Sequence, residues 1–395
     1  MGRNDRTVYI AGAGIAGLTI ALALAKRGLQ VVVLERADQV AEFGAGLQLS
    51  PNAYRVLEGL GLGPAILERA FEPAGIDVYT ASHSEPLVTL TLGQPARERF
   101  GSPYVVMHRG DLAEALYRAC KRFANIECIF GVSDLAVSRD GNGVLVEAEK
   151  LQRTGRSGRG FAFIGADGVR SNTRTTVLKG PPAQFTHKLA WRTLVSPERV
   201  QPFLSLENTS LLLAPDTHLV AYPLPRRNAV NLVLFLNADA PEAPQQPKLP
   251  RRASRRLMGL VDAADQPWTA WPLFSVHTRQ WHDGPVGLLG DAAHAMLPFQ
   301  AQGAALAIED AACLAPLLAD GADAEQALAA YARSRQMRVK RVATLSRRNG
   351  QIFHMRPPLS VARDTVMRLQ GKQEHFRRLG WLYDHDAGAP ATVKR

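Results

Sequence analysis

The chain has 395 residues, 46% hydrophobic and 21% charged, the profile of a globular protein able to bury a sizeable core in two connected units. Its net charge of +11 is spread along the chain, with concentrations at 153–159, 251–256 and 333–348 but no aromatic–basic or helix-turn-helix pattern. That argues against a nucleic-acid partner, and a positive field that draws small anions accounts for the charge. Cys120, Cys128 and Cys313 form no CxxC pair, which argues against a disulfide framework or a zinc site; no metal is expected. They suit a reducing cytoplasm and read as small buried hydrophobes.

Val8–Ala11 is a short apolar run suited to a buried parallel strand. Gly12, Gly14 and Gly17 follow as G-x-G-x-x-G, with Ala16 inside the motif. The first glycine permits a tight turn, and the second lets a pyrophosphate approach the backbone. The third lets a helix pack closely on the strand with its N-terminal N–H groups aimed at phosphate. Leu18–Lys26 continues as helix with Gly28 as its stop, and Val31–Leu34 is a second strand. It ends at Glu35, beside Arg36, where a carboxylate can accept hydrogen bonds from a ribose diol. Val8–Ala25 carries no charge over 18 residues, which also fits a membrane span or a signal-peptide core. The glycine spacing and Glu35 favour the nucleotide reading, with no membrane association.

Gly44–Leu62 reads as a glycine-rich loop, a short strand and a helix starting near Ser50-Pro51. Ile76–Leu92 holds strand-like runs, and Arg109 stands just before a helix for which Asp111 is the expected N-cap. Ile126–Phe130, Val144–Ala148 and Phe161–Ile164 are further strands. The last leads into Asp167-Gly168, then Arg170 and Ser171; alone, such a pair is most often a turn. From Gly180 to about His277 the texture changes. Leu211–Leu213, His218–Leu224 and Val230–Leu236 are strand-like runs between Pro- and Asn-rich turns, and 241–250 is a surface loop. This predicts a mixed or antiparallel sheet inserted between nucleotide-binding pieces. Val286–Leu289 then leads into Gly290-Asp291, where the carboxylate can bind a ribityl or ribose hydroxyl and the N–H groups that follow can face phosphate or flavin oxygens. His294 has no nucleophile near it in sequence and reads as structural. From Ala301 to about Leu382 the pattern is helical.

GAGIAGL, LER, GAGLQLSPNA, HRGDL, GADGVRS, GDAAH, QGAALAIEDA and the late LGWLYDHD together cover nearly the whole chain. In this combination the sequence resembles the single-component FAD-dependent aromatic hydroxylases of the para-hydroxybenzoate hydroxylase fold. The similarity is greatest to the group of salicylate hydroxylase, 3-hydroxybenzoate 6-hydroxylase and 6-hydroxynicotinate 3-monooxygenase. The resemblance implies an α/β protein with a Rossmann-like FAD-binding domain (1–75, 100–180 and 278–322). It also implies an inserted mixed β-sheet substrate domain (76–99 and 181–277) and a C-terminal helical region (323–395). Glu35 would hold the adenosine ribose, Arg109 the pyrophosphate and ribityl chain, and Asp291 the ribityl or pyrophosphate region. Gln302 and Gly303 would lie beside the isoalloxazine, with Gln48 close by. Asp167 belongs to a motif linked to FAD and pyridine-nucleotide handling. No second GxGxxG occurs, so NADH or NADPH would visit transiently. One departure is Ala295, where many relatives carry proline after the histidine; Pro298 is retained.

The resemblance further implies a monooxygenase that inserts oxygen from a flavin C4a-hydroperoxide into a small phenolic or pyridine acid, with O2 as co-substrate, acting as monomer or homodimer. His218 and Tyr222, four apart on one strand, share a face. Such residues are often satisfied core groups, but related hydroxylases use a His/Tyr pair at this place. His218, assisted by Tyr222 or Gln300, would accept the phenolic proton. Arg192 either steers a carboxylate or forms a salt bridge. A flavoprotein epoxidase, a natural-product tailoring oxidoreductase and a non-catalytic flavin-binding regulator remain alternatives.

Overall fold

The computed structural model describes residues 6–40, 46–80, 85–155, 158–251 and 253–389. The Gly44 end of the glycine-rich loop expected before Gly46 lies outside these residues. Thr7–Ala11 is nearly all buried and pairs in parallel with Gln30–Glu35 on one side and Ala162–Gly165 on the other. The six-stranded sheet continues to Ile126–Phe130 beyond one edge, and to Val286–Leu288 and His282–Asp283 beyond the other. Each of the three sequence segments that read as cofactor-binding therefore leaves a strand of this one sheet. Such ligands bind outside the carboxyl ends of parallel strands.

The helix Ile15–Ala25 shows why the uncharged stretch is not a membrane span. It is 11 residues long, is apolar all round and has every residue but Ala16 buried. It packs between Gly303–Asp320 and Arg109–Cys120, so its apolar surface is satisfied by protein. No helix among the described residues is long and apolar enough to cross a membrane.

The second sheet has seven strands in the order Thr269–Ser275, Gln184–Val195, Ala229–Asn237, Thr217–Leu224, Thr209–Ala214, Gly75–Thr80 and Val88–Thr91. All neighbours are antiparallel except Thr209–Ala214 with Gly75–Thr80, so the expected mixed sheet is present. Alternation divides its side chains. Trp191, Leu219, Ala221, Leu232 and Leu234 pack on the outer face, with Leu257 and Leu260 of the helix Arg255–Asp262. Ala190, Arg192, His218, Val220, Tyr222, Asn231, Val233 and Phe235 alternate with them and take the inner face, where Val220 packs against the core of the nucleotide-binding sheet.

Two long helices, Ala324–Phe353 and Leu359–Tyr383, close the chain. Two local expectations change. The N-cap of Arg109–Cys120 is His108, whose Nδ1 accepts from the Gly110 N–H, while Asp111 lies in the first turn and pairs with Arg227 at 2.6 Å. An imidazole one residue before the helix reaches the open N–H first. Of the cysteines only Cys120 is fully buried; all three are free thiols, and burial pushes Cys120 up to about 12 and Cys128 to about 11.

Candidate active site

The glycine turn is built by contact between distant segments. A Cβ on Gly12, at φ +102°, would lie 2.6 Å from the Ala166 carbonyl oxygen and 3.2 Å from the Asp167 Cα. A Cβ on Gly17 would lie 1.9 Å from the Gly12 carbonyl oxygen. A Cβ on Gly290 would meet Ala16 Cβ at 3.1 Å and Ala307 Cβ at 3.0 Å, and one on Gly303 would be 4.0 Å from an Asp291 carboxylate oxygen. The motifs thus pack against one another. No side chain caps the helices that begin at Ile15 and Gly303, which leaves their first N–H groups open to an acceptor. Glu35 accepts from the Ala13 N–H at 2.7 Å and the Ala37 N–H at 2.8 Å, and Arg36 beside it is exposed. Asp167 accepts through Oδ2 from Thr173, while its Oδ1 is buried with no partner. Arg174 holds this turn in place by donating to the carbonyls of Val169, Pro181 and Ala292.

The loop before Gly303 is tied from behind. Ala301 has φ +52°, a strained value for a non-glycine residue. Gln302 is buried with its amide turned inward: Nε2 donates to Ser50 Oγ at 2.8 Å, and Oε1 accepts from Asn52 at 3.1 Å. Only its backbone is left for a ligand. Asn52 donates onward to Glu309, which pairs with Arg335 and Arg338; Arg335 also pairs with Asp310, whose other oxygen meets His294 Nε2 at 2.6 Å. Burial alone would push both carboxyls up. Arg335 and Arg338 bring Glu309 below its ordinary value, and His294 with Arg335 holds Asp310 near 2. His294 is tied into this network through Asp310, and its Nδ1 is buried without a partner.

Facing this loop is the inner face of the second sheet. His218 is buried, stacked on Phe235 at 4.4 Å between ring centroids and edge-on to Phe299 at 5.0 Å. Its hydrogen-bond partner is neither Tyr222 nor Gln300 but His354, Nδ1 to Nε2 at 2.7 Å. Gln300 instead accepts through Oε1 from Asn349, which also donates to the Phe299 carbonyl. Gly350 leaves room for the Phe299 ring, because a Cβ there would lie 2.5 Å from it. The long helix Ala324–Phe353 therefore sets the loop that carries Phe299 and Gln300.

Tyr222 stands four residues from His218, about 13 Å along the strand. Its ring covers Gly46, where a Cβ would be 2.3 Å away, and the Gly46 N–H donates to Asn231 Oδ1 at 2.9 Å. Burial raises the Tyr222 phenol, and Arg192 opposes that rise, so the hydroxyl stays protonated and able to donate. Arg192 has its Nε buried without a partner, and no described carboxylate pairs with it. Burial and the positive charge of Arg109 lower its proton affinity. Asn231 Nδ2, on the strand between them, is a second buried donor without a partner. Tyr104, raised by burial, donates to Gln48 Oε1. Sequence reasoning did not single out Tyr104, Asn231, Asn349 or His354. None lies in a motif, and only the tertiary fold brings them to the site.

The family described as FAD binding domain matches residues 5–346. The chain belongs to this family. It is 32% identical over 394 residues, covering 97% of both chains, to a 3-hydroxybenzoate 6-hydroxylase from Polaromonas naphthalenivorans (strain CJ2). It is 30% identical over 426 residues to a salicylate hydroxylase of Pseudomonas putida, covering 96% of this chain and 92% of that one. Among solved structures, a salicylate hydroxylase substrate complex superposes with TM-score 0.78 at 25% identity, covering 99% of this chain and 100% of that one.

The cradle fits FAD on its own chemistry. The unpartnered Asp167 Oδ1, the open helix N-termini and Gly14, where a Cβ would meet nothing within 4 Å, offer an acceptor, N–H donors and close backbone approach, while Gly12, Gly17 and Gly290 let the segments pack together. Glu35 sits at the end of its strand, where an adenosine ribose would lie, and Asp291 projects exposed from the helix start toward Gly303. Substituting Gly17→Ala is expected to cost about 1–3 kcal/mol by overpacking and to lower the flavin retained per protein. The ratio of flavin to protein absorbance after gel filtration measures this, and a fully loaded variant would contradict it.

Proposed function

We propose that this protein is an FAD-dependent, NAD(P)H-consuming monooxygenase that hydroxylates a small aromatic acid bearing a phenolic hydroxyl. The chemistry FAD supplies when bound is reduction by NAD(P)H, reaction with O2 and delivery of one oxygen atom to the ring. The observation that carries the substrate class is the polarity of the inner sheet face. Asn231 Nδ2 stands level with Tyr222 at one end and His218 stands at the other, while Arg192, whose guanidinium lies over the Trp271 ring, stands in the row between them; Arg192 Nε and Asn231 Nδ2 are buried without a hydrogen-bond partner. A single aromatic ring with hydrogen bonds of about 2.8 Å at each end suits that spacing. Buried donors without partners are costly, and a carboxylate satisfies them.

In this reading the sheet carrying Gly75–Thr80 and Gln184–Ser275 is the substrate-binding part. Arg192, Asn231 and Tyr222 hold the carboxylate, and His218 accepts the phenolic proton. Phe235 and Phe299 flank the ring and exclude water, and Gln300 presents its free amide N–H2 toward the ring edge. Glu35, Arg36, Arg109, Asp167 and Asp291, with the backbone of Gly12, Gly14, Ala16, Gly17, Gln302 and Gly303, hold FAD, and Gln48 lies between flavin and substrate. The free thiols support a cytoplasmic setting, and the protein would act as a monomer or homodimer.

The test is a screen of hydroxybenzoates and hydroxypyridine carboxylates for stimulated NADH or NADPH oxidation, with mass analysis of the product. A gain of one oxygen is expected; stimulation by none of these acids would refute the reading. Replacing Arg192 with methionine removes one side of a buried charged pair, at about 2–5 kcal/mol. KM for the acid should therefore rise roughly 30-fold or more, with kcat little changed.

A further inference from the structure

His218 does not end at the substrate. Its Nδ1 meets His354 Nε2 at 2.7 Å, and no described residue hydrogen-bonds its Nε2. His354 caps the C-terminal end of Ala324–Phe353 and is only partly buried, whereas His218 is 1% exposed. His354 thus joins a sealed imidazole to the protein surface. Its backbone is fixed there: the Asp216 N–H donates to the His354 carbonyl at 3.2 Å, and Arg363 donates to the carbonyls of Ile352 and Phe353. Two aromatic rings, Phe299 and Phe353, stand edge-on to His218, and no described carboxylate touches either imidazole.

Resting on the hydroxylase reading above, we propose that His354 is a proton-relay residue that passes the substrate's phenolic proton from His218 to solvent. The step balances as a transfer through two neutral rings. The phenol O–H bond breaks as its proton moves to His218 Nε2, and His218 Nδ1–H gives its proton to His354 Nε2. His354 Nδ1–H releases a proton to water, leaving a phenolate in the site. Both rings end neutral, in the exchanged tautomer, and they reset when the product phenolate takes the proton from His218 Nε2, His354 Nε2–H passes its proton to His218 Nδ1, and His354 Nδ1 takes one from water.

The surroundings favour conduction over storage. The charged groups facing the pair are Lys188 from Gln184–Val195, one strand removed in the sheet, Asp216 from the turn before Thr217, and Arg356 and Arg363 from the C-terminal segment. Arg356 is paired with Asp216, and Lys188 donates to Asn237. Burial, then His354 and Lys188, take His218 well below its ordinary value. Burial and Lys188, opposed by Asp216, bring His354 to about 4. Neither ring holds a second proton near neutral pH, so a proton entering at His218 displaces one at His354.

The experiment follows ionisation of bound 3-hydroxybenzoate, 4-hydroxybenzoate and salicylate by stopped-flow absorbance in the oxidised, FAD-loaded enzyme, for wild type and His354→Gln. Ionisation should slow on the order of tenfold or more in the variant and recover with added imidazole. The wild-type solvent-isotope inventory should be curved, showing more than one proton in flight, and linear in the variant. An unchanged rate and inventory in a variant that retains FAD would overturn the relay while leaving the hydroxylase reading intact. If none of these acids bound and ionised in wild type or stimulated NAD(P)H oxidation, the hydroxylase reading and the relay with it would fall. Should the variant lose FAD, histidine-selective nitrogen NMR of wild type decides: a hydrogen bond between Nδ1 of His218 and Nε2 of His354 supports the relay, and its absence overturns it.

Discussion

Replacing His218 with asparagine is expected to lower kcat by roughly 10²–10⁴-fold, the range for loss of a positioned acid–base group. The imidazole is stacked on Phe235 and bounded by Phe299 and Phe353, so asparagine fits the space but cannot relay a proton between its two ends. The pH dependence sharpens the expectation. Because burial holds His218 well below the ordinary histidine value, the ring stays neutral, and able to accept, through neutral and mildly acidic pH. The acid limb of wild-type kcat/KM should therefore not fall at pH 6.5. Steady-state NADH oxidation across pH 5–9 checks both points, and a His218→Asn variant with unaltered turnover would remove the residue from the mechanism.

The second large effect concerns stability. Arg335 is 2% exposed and pairs with both Glu309 and Asp310, which are fully buried. Arg335→Met leaves these carboxylates with Arg338, His294, Asn52, the Gly290 N–H and, at 3.9 Å, His385 as partners. Breaking a buried ion pair from one side costs about 3–5 kcal/mol, because the remaining charge is stranded. The midpoint of urea unfolding should fall accordingly, and flavin content with it, since Asn52 and Gln302 join this network to the loop at Gly303. Arg335→Lys should recover only part of the loss, because an ammonium cannot reproduce the guanidinium fork. A midpoint within error of wild type for Arg335→Met would show that Arg338 and His294 suffice.

The two networks do different work from the same pair of helices. One fixes Gln302 from behind, so that its backbone alone faces the cofactor cradle. The other, through Asn349, Gly350 and His354, sets Phe299, Gln300 and His218 at the inner face of the second sheet. The C-terminal helical region, whose sequence suggests only helix, thus shapes both halves of the site.

What could be read from residues alone was what local backbone geometry demands. Gly12, Gly14 and Gly17, Glu35 at a strand end, and Gly290-Asp291 each report a turn or terminus of a few residues, so their spacing reveals the cradle. The alternation around His218 and Tyr222 likewise places both on one sheet face without further information. Pairing between distant side chains has no such local signature. His218 with His354, Gln300 with Asn349, and the inward turn of the Gln302 amide each join residues far apart in the chain. The open donors of Arg192 and Asn231 are equally invisible in sequence, because burial and the lack of a partner are properties of packing. The sequence determined the turns, strand ends and helix starts that the proposed cofactor cradle uses, because these are local. Tertiary structure decided which side chains meet on the inner face of the second sheet and which of their donors are left open, because those depend on packing between distant segments.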